Sequence, residues 1–156
     1  MTQALRKDVL EENTAQSHDF LTLTIAGQTF GIPVLQVQDV LGPQKVACVP
    51  LSSPAVTGLL NLRGRIVTAI DVRTCLQLPR SSQATEMSVV VEHQGDLYSL
   101  IIDKVGDVMG LKDSAFEQNP ATLDPVWQDI SRGIYRLDGK LLVVLDIPKL
   151  LENVHT

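Results

Sequence analysis

The sequence predicts a mainly β protein made of two similar lobes, and three observations carry that reading. Apolar residues make up 44% of the 156-residue chain while aromatics are only 4%, so the core has to be built from Val, Leu and Ile, which pack well on a pleated surface. Short apolar-polar alternations are interrupted by glycine-bearing turns, the mark of many short strands. The chain also repeats itself imperfectly, at a spacing of about half its length. That length suits one compact domain, or two small lobes sharing a core.

The repeat has two blocks in the same order. FGIPVLQVQDVLG (Phe30 to Gly42) lies over YSLIIDKVGDVMG (Tyr98 to Gly110), bringing Phe30/Tyr98, Ile32/Leu100, Val37/Val105, Asp39/Asp107, Val40/Val108 and Gly42/Gly110 into step, with Gly27/Gly95 upstream. LRGRIVTAIDVRTCL (Leu62 to Leu76) lies over LDGKLLVVLDIPKLL (Leu137 to Leu151), matching Gly64/Gly139, Arg65/Lys140, Ile70/Leu145, Asp71/Asp146 and Leu76/Leu151, with Gly58/Gly133 in the same register. Residues aligned in this way are called sisters below. The second copy is longer between its blocks, where FEQNPATLDP (Phe116 to Pro125) reads as an irregular insertion.

Each copy opens with a hairpin. Phe20 to Ile25 turns at Ala26, Gly27 and Gln28 into Thr29 to Ile32, and Met87 to Glu92 turns at Gln94, Gly95 and Asp96 into Leu97 to Ile102. A short segment bearing Val37 and Val40, or Val105 and Val108, follows; helical turn and bent strand fit it equally. A turn at Arg63 and Gly64, or Asp138 and Gly139, then leads into a strongly apolar strand. That strand ends at Asp71 or Asp146, placed to cap a helix whose first turn in the second copy tolerates Pro148. Many short strands with frequent turns imply a small barrel or sandwich in each copy. The sequence thus divides into a mobile tail (1–17) and one domain (18–152), with lobe 1 at about 18–80, lobe 2 at about 86–148 and a C-terminal helix at about 147–153. Pro79 to Thr85 is the crossing between the lobes.

Several function classes find no support. The apolar runs are far shorter than the roughly 20 residues of a membrane helix, and the charged start, with Arg6, Lys7, Asp8, Glu11 and Glu12, is unlike a secretion signal; a cytoplasmic protein is expected. A net charge of −5 argues against nucleic-acid binding, which needs a clustered basic surface. Cys48 and Cys75 form no CxxC pair and read as structural thiols. His18, His93 and His155 have no zinc spacing, so no metal or other cofactor is expected, and neither phosphate-binding nor nucleophile-elbow glycine motifs occur. Trp127 reads as a packing anchor for the insertion. Asp71 and Asp146 could form a catalytic pair in a small ligand-binding or hydrolytic β-domain, but helix capping suffices to account for both.

Val37 and Val40, with their sisters Val105 and Val108, have a core reading and a binding reading: equivalent apolar edges facing each other would make the junction of the lobes a groove for a partner helix. The succession of FLTLTIAGQTFGIPVLQVQDVL, VPLSSPAVTGLLNLRGRIVTAIDVR, IIDKVGDVMGL and GKLLVVLDIPKLL resembles the CheW family of bacterial chemotaxis adaptors from about Asp19 to Glu152. Its most specific part is the segment from Pro54 to Gly64, ending in NLRG and followed by Ile70 and Asp71; Thr68 stands where many relatives carry Pro.

The resemblance implies two intertwined, five-stranded, SH3-like β-barrel lobes around a shared hydrophobic core, with short helices. It implies a non-catalytic adaptor, without cofactor, linking the cytoplasmic tips of methyl-accepting chemoreceptors to the regulatory domain of the histidine kinase CheA at membrane receptor arrays, without inserting into the membrane. Val37, Asp39, Val40, Val105 and Val108 are then receptor-binding residues, and Asn61, Arg63 and Gly64 couple kinase and receptor. Arg63 has Asp138 as its sister, so the fold accepts either charge at that turn.

Overall fold

The computed structural model describes residues 17–43, 47, 54–79 and 87–154. The first hairpin is β1 (Ser17–Ile25) and β2 (Gln28–Pro33); a 3-10 turn (Val34–Gln36) leads to β3 (Val37–Leu41), then β4 (Val56–Leu62), β5 (Arg65–Asp71) and a one-turn helix α1 (Val72–Cys75). The second copy runs β6 (Met87–His93), β7 (Asp96–Ile102), β8 (Lys104–Lys112), a 3-10 turn (Asp113–Ala115), β9 (Phe116–Glu117), α2 (Pro125–Gln128), β10 (Ser131–Leu137), β11 (Lys140–Leu145) and α3 (Ile147–Val154). The segment left open between helical turn and bent strand is therefore a strand, with a register shift between Val37 and Asp39. Ser17, read as tail, belongs to β1; the rest of the expected tail, most of the crossing between lobes, Cys48 and His155 lie outside the described residues.

The hairpin turns form as their glycines require. In the β1–β2 turn Ala26 and Gly27 both have positive φ (51° and 81°), the paired left-handed conformation that matches the twist of the flanking strands. Gly133 serves close approach instead: a side chain there would run into the Phe116 ring and the Glu117 carbonyl, the residues of β9.

The strands form two sheets, one six-stranded in the order β8-β1-β2-β11-β10-β9 and one five-stranded in the order β3-β6-β7-β5-β4. Each sheet takes its central hairpin from the opposite copy. The boundary near residues 80–86 consequently does not separate the sheets, because β1 and β2 find their neighbours β8 and β11 in the second half, while β6 and β7 pair with β3 and β5 of the first. The exchange is symmetric to the residue. Thr68 stands opposite Tyr98 in the parallel β5–β7 pair, and their sisters Val143 and Phe30 stand opposite each other in β11–β2. Val37 faces Val91 as Val105 faces Leu23, and Val40 faces Val89 as Val108 faces Leu21. The sixth strand is the two-residue β9 from the insertion, so the expected five strands per lobe hold for one sheet only.

Both sheets contribute one face to a shared core that includes Leu23, Phe30 and Val143 from one and Ile70, Val89 and Leu100 from the other, with Ile147, Leu150 and Leu151 of α3 closing it. The opposite face of each sheet carries a smaller cluster of sister residues: Leu60, Val67 and Ala69 in the five-stranded sheet, Tyr135, Leu142 and Val144 in the six-stranded one. This double burial explains why the apolar strands read as near-continuous runs.

Candidate functional site

The turn between β4 and β5 is built to present Arg63. Asn61 Oδ1 accepts the Gly64 N–H at 2.9 Å, which closes the turn, and Arg63 sits in the left-handed region at φ 53°. Asn61 and Gly64 thereby shape the loop, while the Arg63 side chain projects outward, 80% exposed. Its Nη2 lies 3.1 Å from Asp39 Oδ2, and Asp39 Oδ1 accepts the N–H of Val40 at 2.9 Å. Asp39 is on β3 and Arg63 at the end of β4, the two edges of the five-stranded sheet, so the pair draws those edges together. Beside it is a recess of about 140 Å³ lined by Gln38, Asp39, Leu62, Arg63, Arg65, Val90 and Leu97. Arg65, one of its lining residues, donates to the Gly95 carbonyl at 3.4 Å.

The four valines divide into two classes. Val37 and Val105 are half-buried against the shared core, whereas Val40 and Val108 are 37% and 57% exposed. β3 and β8 are each the edge strand of a sheet, so each sheet offers one edge bearing an exposed valine and an adjoining aspartate, Asp39 or Asp107.

The other candidates have structural roles. Asp71 is buried, its Oδ1 accepting the Arg73 N–H at 3.1 Å and its Oδ2 the Thr74 hydroxyl at 3.1 Å; it caps α1, as Asp146 caps α3 through the Lys149 N–H at 3.2 Å. Both carboxylates thus have the helix-capping role that the sequence suggested. Burial, with Asp71 nearby, pushes the Cys75 thiol up to about 12, which leaves it protonated and unreactive. Trp127 packs against Phe30 in a tilted contact, ring centroids 5.5 Å apart, anchoring the insertion. His18 pairs with Asp113 at 3.0 Å. Among the described residues no group of three or more His, Cys, Asp or Glu side chains could hold a metal, and no helix is long and apolar enough to cross a membrane.

Sequence reasoning missed one feature. On the six-stranded sheet a cavity of about 350 Å³ is lined by residues including Phe20, Leu35, Phe116 and Tyr135. Phe20 and Phe116 each meet the Tyr135 ring edge-on at 5.4 Å, and Leu35 stands 94% exposed beside them. The available signal was the scarcity of aromatics, since three of the few in the chain converge here.

The family model described as "CheW-like domain" matches residues 19–155. The chain belongs to the CheW-like domain family. Curated relatives include the chemotaxis protein CheW of Klebsiella aerogenes, 28% identical over 86% of this chain and 82% of its own length, and that of Bacillus subtilis, 26% identical over 85% and 86%. Among solved structures, the scaffolding protein TtCheW from Thermoanaerobacter tengcongensis superposes with a TM-score of 0.75 at 23% identity, covering 83% of this chain and 88% of that one. The mainly β CheW-like fold expected from the sequence is thus borne out, and with it the family that the resemblance named.

Proposed function

We propose that this protein is a non-catalytic adaptor holding chemoreceptor cytoplasmic tips and the histidine kinase CheA in a fixed relation, in the cytoplasm at membrane receptor arrays. The observation that carries this reading is the Asp39–Arg63 contact at 3.1 Å, which joins the edge strand expected to meet the receptor to the turn expected to couple receptor and kinase. A receptor helix lies along the edges β3 and β8, with Val40 and Val108 as apolar anchors and Asp39 and Asp107 on the rim. Apolar anchors supply affinity, and rim charges set orientation and association rate.

Arg63 commits one nitrogen to Asp39 and leaves the rest of its fork for a partner's carboxylate or carbonyls. A receptor state that competes for Arg63 shifts the β4–β5 turn, and the kinase responds through the difference in contact energy between the two arrangements. The regulatory domain of CheA docks on the other sheet, where Leu35 and Phe116 flank the aromatic cavity. The test is autophosphorylation of CheA with receptor fragments, with and without this chain. Receptor-dependent stimulation is expected only when the chain is present; stimulation that does not need it contradicts the reading.

A further inference from the structure

The two edge strands that flank the proposed groove are sisters in sequence and register, yet they are held very unequally. β8 pairs with β1 from Ser17↔Lys112 to Thr24↔Lys104, whereas β3 pairs with β6 only from Val37↔Val91 to Leu41↔Ser88. Side chains widen the difference. At the start of β8, Asp103 takes a two-pronged hydrogen bond from Arg73 of α1 (Nε to Oδ1 2.8 Å, Nη2 to Oδ2 2.6 Å) and also accepts the Ala26 N–H at the β1–β2 turn at 2.9 Å. Both charged side chains are only 18% exposed, so solvent screens the pair little. In mid-strand the Thr22 hydroxyl donates to the Asp107 carbonyl at 2.7 Å, an approach that Gly106 permits, since a Cβ there would stand 2.6 Å from Thr22 Oγ1. Just beyond the strand, His18 pairs with Asp113 at 3.0 Å.

None of the first three groups has a counterpart on β3. The sister of Asp103 is Leu35, that of Thr22 is Val90 and that of Gly106 is Gln38, so the carboxylate, the hydroxyl and the glycine gap are all missing there. Among the described residues, β3 is tethered by side chain through the Asp39–Arg63 contact, whose arginine is 80% exposed and which is therefore weak as a tether.

We infer that the groove is one-sided in its mobility: β8 is a fixed wall stapled by Asp103 and Thr22, and β3, carrying Val40 and Asp39, is the wall that moves. Its functional meaning rests on the adaptor reading, but the asymmetry belongs to the protein alone and is measured without partners. Because the registers match, amides hydrogen-bonded at sister positions compare like with like. Hydrogen exchange in the free protein followed by NMR is expected to be at least about tenfold faster for the bonded amides of β3 than for their sisters in β8. Asp103→Asn and, separately, Thr22→Val, which installs the residue of the sister position, speed exchange in β8 while leaving β3 unchanged. Equal rates in the two wild-type strands, or a β8 indifferent to both substitutions, overturn the inference.

Discussion

Asp39 and Arg63 meet at 3.1 Å although they come from opposite edges of the five-stranded sheet, so an ion pair exposed on its arginine side marks where the sheet curls upon itself. The six-stranded sheet achieves the same thing covalently, its edge strands β8 and β9 being joined by the single 3-10 turn Asp113–Ala115. The first edge-to-edge junction is built from exchangeable contacts and the second from the chain.

Arg63→Asn breaks the pair without straining the turn, since Asn accepts the left-handed conformation at φ 53° better than most residues. Chemical denaturation should show stability within about 0.5 kcal/mol of wild type, while receptor-dependent kinase stimulation falls away. Arg63→Asp should behave similarly in stability and more severely in coupling, because it sets a like charge against Asp39. Retained stimulation in both variants would remove Arg63 from the mechanism.

The valines call for opposite outcomes. Val40→Asp alters an exposed position and should leave stability within about 0.5 kcal/mol while weakening receptor-fragment binding at least about tenfold, as loss of an apolar anchor does. Val37→Asp places a charge against the shared core and should destabilise the fold by about 1–3 kcal/mol, weakening both partners together. Denaturation curves alongside calorimetric titrations with each partner separate the two cases.

Asp103 should shape the acid limb of the stability curve. Hydrogen bonding by Arg73 holds its carboxyl below the ordinary range, so its contribution is complete above the unfolded value of about 4 and is lost as pH falls through the depressed folded value. The stability difference between wild type and Asp103→Asn should be constant near neutrality and shrink on acidification below about pH 4. A difference that grew there would contradict the pairing.

Cys75, buried and pushed up to about 12, should resist a thiol reagent at pH 8 in a Cys48→Ser background and react at once after unfolding in urea. Rapid labelling of the folded protein would mean that α1 opens readily.

Much of the fold was legible because the repeat preserves what the backbone needs: glycines at turns, aspartates at helix starts, β-branched residues in strands. The exchange of hairpins was not legible from the residues, since alternation reports which face is buried and not which strand lies alongside. β9 escaped notice because two residues carry no period. Val37 and Val40 were grouped together, and the bulge between Val37 and Asp39 does keep them on one face, opposite Val91 and Val89; what the sequence did not show is that Val37 packs against the shared core while Val40 is 37% exposed. The Asp39–Arg63 contact joins two edges brought together by curvature, which no local pattern records.

The claim that the protein bridges two partners is tested most directly by sedimentation of the chain with the CheA regulatory domain and a receptor-tip fragment, alone and together. The account predicts both binary complexes and one ternary complex, with Val40→Asp removing the receptor fragment and Leu35→Ser removing the kinase domain, each without the other. Mutually exclusive binding of the two partners, or loss of both from either substitution, would contradict it.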